Sequence, residues 1–288
     1  MITVFILTGP DKDQVLEFEK EAITLGRSDE NEIKLIDRNV SRKHLKIIKE
    51  QENYFIEDLE SKNGTFIDGR QIVPNARIQI SEITPILIGM SVLCLGKACM
   101  EHVKPYLDMV DISESDEQVL RHSIVNYQQN MDLLEKFSDI LSSASALNEM
   151  TERVLEVIFQ ILKKISRATL ILLDPETGDI ADSVSKVSQP SDDTSTSYNL
   201  EVVGHVLKTN KPFQFLDALD EYEDGLSETL RVSKIRSVLC LPLSQRSKML
   251  GLMYIDSMEQ SPSFRKEDLY VMKLLSEKIG RRLADFLL

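Results

Sequence analysis

The sequence predicts a multidomain chain. An all-β sandwich spans residues 1–105, a helical linker spans 106–134, and an α+β domain over 135–288 holds an antiparallel sheet with its helices on one face. Three observations lead there. Up to Gly96, short apolar runs alternate with turn residues, whereas 116–148 contains neither Gly nor Pro. From about 135 the order becomes helix, strand, strand, helix, strand, strand, helix. A chain of 288 residues also suits two cores better than one.

In the first part, strands are expected at Ile2–Leu7, Gln14–Phe18, Ala22–Leu25, Ile33–Leu35, Leu45–Ile48, Tyr54–Asp58, Thr65–Ile67, Arg77–Ile80, Pro85–Ile88 and Ser91–Leu95. Asp68 and Gly69 stand between two strand-like runs, a strong hairpin signal. The layout implied is an antiparallel sandwich with loops gathered at one end. The opening apolar run breaks at Gly9 and Pro10 and carries no basic region, so it reads as a first strand and not as a signal peptide.

The next segment places Leu120, Ile124, Tyr127, Met131 and Leu134 at heptad spacing. Two readings fit: a short coiled coil between chains, or a helix lying on its own domain. Beyond it, Glu149–Ile165 is an amphipathic helix and Ala168–Asp174 a buried strand. Asp182–Val187 is its partner and Leu200–Asn210 a helix. Ser237–Leu243 and Gly251–Asp256 form a second strand pair, and a last helix runs from about Lys266 to Leu288.

Composition narrows the function. Hydrophobic residues make up 42% and charged residues 28%, an ordinary globular balance, and the net charge of -13 argues against nucleic acid or an anionic membrane as partner. The acidity is uneven: residues 1–100 hold 13 Lys and Arg against 16 Asp and Glu, or -3, leaving -10 for the rest. No segment has the apolar length of a membrane span. The three cysteines, Cys94, Cys99 and Cys240, are an odd number without a framework spacing, which fits a reducing cytosol and a cytoplasmic location.

Three short stretches carry the candidate site: Leu25 to Ser28, Ser41 to His44 and Ser61 to Thr65. Each joins a loop residue able to hold an anion, or to brace the loop that does, to strand-like flanks. The basic cluster Arg38, Arg42, Lys43 and Lys46 is either an anion-attracting rim or a solvated face.

The ordered set Gly26-Arg27, Ser41 with His44, and Asn63-Gly64 resembles the forkhead-associated (FHA) domain. The resemblance implies a β-sandwich that binds phosphothreonine segments. Phosphothreonine needs a fixed cation and several donors. Arg27 supplies a planar guanidinium, Ser41 a hydroxyl, and Arg42 lies where the family often has a further phosphate contact. Asn63, by resemblance, grips the peptide backbone. Lys62 replaces the Thr or Ser frequent in the family, which weakens the expected preference for the threonine methyl group. Gly26 and Gly64 are expected to give the turns backbone freedom, and His44 is a buried brace.

Residues 135–288 resemble a GAF domain, on the strength of Ile165 to Asp174, Ile235 to Leu243, Gly251 to Asp256, and Phe264 before the final helix. That likeness implies a sensor fold with room for an unidentified small molecule between sheet and covering loops, and helices suited to pairing two chains. No cofactor is expected: the cyclic-nucleotide signature and a bilin-attaching Cys are missing. Cys240 reads as core, and Cys94, Cys99, His102 and His122 have no metal-site spacing. The polar stretch 183–198, with Thr194 and Thr196, is either a kinase target or a plain loop.

The whole resembles bacterial FHA–GAF signalling proteins. It implies a cytoplasmic, non-catalytic adaptor that binds a phosphothreonine protein, such as a Ser/Thr kinase substrate, and forms a homodimer through the linker and GAF helices. The rival readings are a phosphate-independent regulator gated by a GAF ligand, and a GAF-fold redox enzyme.

Overall fold

A computed structural model describes residues 1–110, 117–188, 198–215, 230, 232–258 and 264–288, which divide into two compact units, Met1–Gln129 and Asn130–Leu288. In the first, eleven strands are described: β1 (Ile2–Ile6), β2 (Val15–Phe18), β3 (Ala22–Gly26), β4 (Ile33–Lys34), β5 (Leu45–Glu50), β6 (Asn53–Asp58), β7 (Thr65–Ile67), β8 (Arg70–Gln71), β9 (Ile78–Ile80), β10 (Ile86–Ile88) and β11 (Ser91–Leu95). One sheet has the order β2-β1-β11-β10-β7-β8 and the other β4-β3-β5-β6-β9.

Alternation explains the sandwich. Along β1, Ile2, Val4 and Ile6 are buried while Thr3 and Phe5 are partly exposed. The same period on β3, β5 and β6 sends Ile23, Leu25, Leu45, Ile47, Tyr54 and Ile56 into one shared core. Pairing is antiparallel except between β3 and β4, where Leu25 and Ile33 run parallel, a departure from the all-antiparallel expectation. The chain must cross over residues 27–32 to make that pairing, and this crossover forms a wall of the site described below. Asp68 and Gly69 have φ of 51° and 70°, the two left-handed residues that close a tight hairpin between β7 and β8.

The cysteine expectation is corrected. Cys94 and Cys99 form a disulfide, their Cα atoms 5.4 Å apart. Gly96, with φ of 91°, turns the chain out of β11 into helix α1 (Lys97–Leu107) and brings the two thiols together. With two of three cysteines paired, cysteine usage no longer argues for a reducing compartment. Among the described residues, no helix is long and apolar enough to cross a membrane.

Helix α2 (Glu117–Ser143) buries Leu120, Ile124, Tyr127 and Leu134, four of the five seam residues, within a single chain. In the first unit, Arg121 stacks on the Phe66 ring at 3.9 Å and Tyr127 lies 5.1 Å from Tyr106. The buried part of the periodic face divides between the units, Leu120, Ile124 and Tyr127 in the first and Leu134 in the second.

The second unit contains α3 (Leu147–Ile161), β12 (Arg167–Leu173), β13 (Ile180–Val187), α4 (Leu200–Thr209), β14 (Phe213–Phe215), β15 (Ser237–Gln245), β16 (Lys248–Ser257) and α5 (Lys266–Leu287). Its sheet, β13-β12-β16-β15-β14, is antiparallel throughout. Asn199 caps α4 by accepting from the N–H groups of Glu201 and Val202. Of the Ser/Thr-rich stretch, 189–197 with Thr194 and Thr196 lies outside the described residues.

Candidate functional site: a cationic cavity at the end of the sandwich

Three loops meet at one end of the sandwich. They enclose a cavity of about 940 Å³ whose lining includes Arg27, Ser41, Arg42, Lys62 and Asn63. The structure thus brings together all five predicted ligand-contacting residues, from three separate stretches. Of the basic cluster, Arg38, Arg42 and Lys43 also line the cavity, while Lys46 lies on β5 away from it.

Main-chain bonds set the first two loops. Arg27 donates its backbone N–H to the Ser41 carbonyl at 2.9 Å, and Ser28 to that of Arg42 at 3.1 Å. Such proximity leaves no space at residue 26: a Cβ there would stand 2.4 Å from the Arg42 carbonyl oxygen. Gly26 is needed for close approach and not for the turn freedom expected of it, since it sits in β3 without a left-handed φ. Asn31, which sequence reasoning passed over, spans the same gap by donating its side-chain amide to the carbonyls of Ser28 (2.9 Å) and Arg42 (2.7 Å). On the outer side, the Thr24 N–H and hydroxyl hold the Glu32 carboxyl down to about 2.

His44 ties the second loop to the third. Its Nδ1 accepts from the Ser41 backbone N–H at 3.0 Å, so the ring proton sits on Nε2, which donates to the Gly64 carbonyl at 3.2 Å. The ring is fully buried. Burial lowers its pKa below the usual value, and the nearby Asp58 carboxylate only partly opposes this, so the imidazole is neutral. With both nitrogens engaged by backbone, His44 has no nitrogen left for proton transfer.

Asp58 underpins the third loop. Its carboxylate accepts from the Ser61 N–H (2.8 Å), the Ser61 hydroxyl (2.6 Å) and the Thr65 hydroxyl (2.6 Å). Burial alone raises such a group; these hydrogen bonds outweigh it and leave the pKa below the usual carboxylate range. Ser61 also accepts from the Gly64 N–H at 3.0 Å, and Gly64 has φ of 82°, a conformation that disfavours any side chain. Ser61 and Thr65 belong to the third candidate stretch, but sequence reasoning gave no bracing role to them or to Asp58, which it read only as the end of a strand.

What faces the cavity is what the loops do not consume. The Ser41 hydroxyl accepts from the Lys62 N–H at 2.9 Å, which leaves its own proton to donate. Asn63 donates to the Asn39 carbonyl at 2.8 Å, keeping its side-chain carbonyl oxygen as an acceptor. Lys34 pairs with Asp29 and Lys43 with Glu30, so both acidic neighbours of Arg27 are taken. Among the described residues Arg27, Arg38, Arg42 and Lys62 form no ion pair. The surface is therefore a concave set of cations and donors fit for a multiply charged oxyanion.

In the second unit, apolar side chains pack between the sheet and α4. The sheet face under α4 is filled by Phe213, Phe215, Val238, Cys240, Leu252 and Tyr254 together with Val202, Val203 and Val206. Burial pushes the Cys240 thiol up to about 12, which makes it inert core. At the rim, Asp256 accepts from Arg167 (3.0 and 2.8 Å) and from the Tyr254 hydroxyl at 2.9 Å. Burial raises the Asp256 pKa, with Arg167 pulling the other way.

A β-sandwich with a cationic cavity at one end is followed along the chain by an antiparallel sheet with helices, a two-domain modular architecture. Residues 23–89 match the FHA domain family and residues 146–283 match the GAF domain family, so the chain carries an FHA domain followed by a GAF domain. It is 27% identical over 93 residues to the FHA domain-containing protein FhaB of Mycobacterium tuberculosis, a match covering 32% of this chain and 56% of FhaB. It is 29% identical over 90 residues to the FHA domain-containing protein At4g14490 of Arabidopsis thaliana, covering 31% of this chain and 23% of that one. The chain thus spans about half or less of each relative. Among solved structures, the FHA domain of the CT664 protein from Chlamydia trachomatis is 25% identical with a TM-score of 0.31, covering 33% of this chain and 96% of that one. All of these likenesses cover about a third of this chain.

Proposed function

We propose that this chain is a non-catalytic signalling adaptor that captures phosphothreonine segments through its FHA domain and couples capture to its GAF domain. The peptide-binding module occupies 1–105, the helical linker 106–134 and the sensor or pairing module 135–288. In this reading the partner is a phosphothreonine protein such as a Ser/Thr kinase substrate. The GAF domain responds to a small molecule or joins two chains.

One observation carries the reading: Arg27, Ser41 and Asn63 line a single cavity whose anchoring bonds leave a guanidinium, a hydroxyl proton and a carboxamide oxygen toward it. The cation and hydroxyl suit phosphate oxygens, and the carboxamide suits an extended peptide backbone. Among the described residues no group of His, Cys, Asp or Glu is placed to hold a metal ion.

The test is a binding titration of the full chain with a matched pair of peptides, phosphorylated and unphosphorylated on one threonine. The phosphorylated form binds and the other does not. Arg27→Ala costs about 1.5–3 kcal/mol, roughly 10- to 150-fold, because a charge-assisted contact is lost. Equal affinity for the two peptides overturns the proposal in favour of phosphate-independent recognition.

A further inference from the structure

In the second unit, β13 pairs with β12 on one side, and among the described residues nothing pairs with its other side. Six of its eight residues are exposed, Ser183 and Val184 are half-buried, and the strand contains neither Pro nor Gly. An open edge of this kind is a template for another strand.

Which groups face outward follows from the ladder. Ser188 donates its N–H to the Ser166 carbonyl at 2.9 Å, so the two-residue period of a strand turns the main-chain groups of Asp182, Val184 and Lys186 toward β12. Those of Ser183, Ser185 and Val187 turn away. In agreement, the Ser183 N–H donates to no strand but to the neighbouring Asp182 carboxylate, at 2.7 Å. From Asp182 to Val187 the pairing with β12 runs without a register shift, so the outward row is regular.

The side chains choose a register. Asp182 and Lys186 lie two residues to either side of Val184. When two copies of β13 run antiparallel about a two-fold axis at Val184, Asp182 of each chain stands opposite Lys186 of the other. Ser183 then faces Ser185, so the outward main-chain groups of both meet as hydrogen-bonded pairs. A two-fold interface requires this self-complementarity. Sliding one strand by two residues in either direction keeps the main-chain bonds but sets neither charge against its opposite. Both charges are available: Asp182 forms no ion pair among the described residues, and Lys186 reaches Glu156 of α3 only at 3.7 Å. A lysine on an edge strand ordinarily discourages pairing; here a second copy supplies the carboxylate that meets it.

We propose that two copies of this chain pair edge to edge through β13, joining their five-stranded sheets into one continuous sheet. The inference rests on the pairing role proposed for the GAF domain, owes nothing to phosphothreonine capture, and puts the contact on a strand and not on the linker and GAF helices.

The experiment is sedimentation velocity of the full chain over a concentration series, without peptide. The wild type associates. Asp182→Lys sets lysine against lysine and Lys186→Glu sets carboxylate against carboxylate, so each alone weakens association about tenfold or more. Mixed in equal amounts the two variants restore it, because each then meets the opposite charge. Ser183→Pro removes an outward N–H while leaving the β12 ladder intact, and it weakens association to a similar degree. Val184→Cys cross-links two chains on mild oxidation, since residues facing each other at the axis stand about 4.5 Å apart between Cα atoms. Val187→Cys, about 20 Å from its counterpart in this register, does not. Association that is indifferent to the charge variants and to Ser183→Pro, with no cross-link at residue 184, overturns the inference while sparing a pairing role for the GAF domain. A wild type that stays monomeric at every concentration overturns both.

Discussion

Replacing His44 by alanine separates a structural brace from a participant in chemistry. The ring makes two bonds, one to the Ser41 N–H and one to the Gly64 carbonyl, and sits fully buried between the loops that carry Ser41 and Asn63. Truncation leaves that N–H and that carbonyl without their partner, each costing about 1–3 kcal/mol where water cannot reach. A cavity term adds to this, as for other large-to-small core changes. Partial relaxation and entry of water reduce the sum, so about 3–4 kcal/mol is expected. Urea unfolding followed by tyrosine fluorescence or near-ultraviolet circular dichroism, compared between the wild type and the variant, reads the loss. Phosphopeptide affinity falls alongside, because the two loops lose their common anchor. A loss of stability below about 1 kcal/mol would refute the argument, since neither backbone group would then depend on the ring.

Three further outcomes follow from the geometry. The folded-state pKa of His44 lies below its unfolded value of 6.5, so the unfolded chain takes up a proton first as pH falls. This group's contribution to stability therefore drops below about pH 6.5 by at most about 1.4 kcal/mol per pH unit, and nitrogen NMR at neutral pH should find the ring uncharged with its proton on Nε2; a charged ring at neutral pH contradicts the assignment. Gly26→Ala should weaken the fold by about 1–3 kcal/mol, because the clash is with the Arg42 carbonyl and backbone must move, as thermal melting would show. Thiol titration of the unfolded chain should find one free thiol before reduction and three after it, and native Cys240 should resist alkylation at pH 8; three thiols without reductant would remove the Cys94–Cys99 bridge.

Much of this could be read from the chain, in proportion to how local each signal is. Alternation marked β1, β3, β5 and β6, because burial on one face of a strand repeats every two residues. Arg27, Ser41 and Asn63 stood out because three short patterns recur in a fixed order. What stayed hidden depends on distance in space. The bonds from Asp58 to Thr65 and from Asn31 to Arg42 join side chains to groups that no spacing rule connects. Gly26 looked like a turn residue because sequence cannot show a carbonyl passing overhead. The Cys94–Cys99 pair was passed over because five residues of separation say nothing about where β11 ends and α1 begins.

The loops at the end of the sandwich are held in place by backbone groups and by Asn31, Ser41, His44, Asp58, Ser61 and Asn63, and hardly at all by the side chains that face outward at 38, 42 and 62. Scaffold and selectivity are thus written in different letters of the same loops. Mutational drift at the outward positions can change which segments are recognised while the framework that presents them keeps its shape.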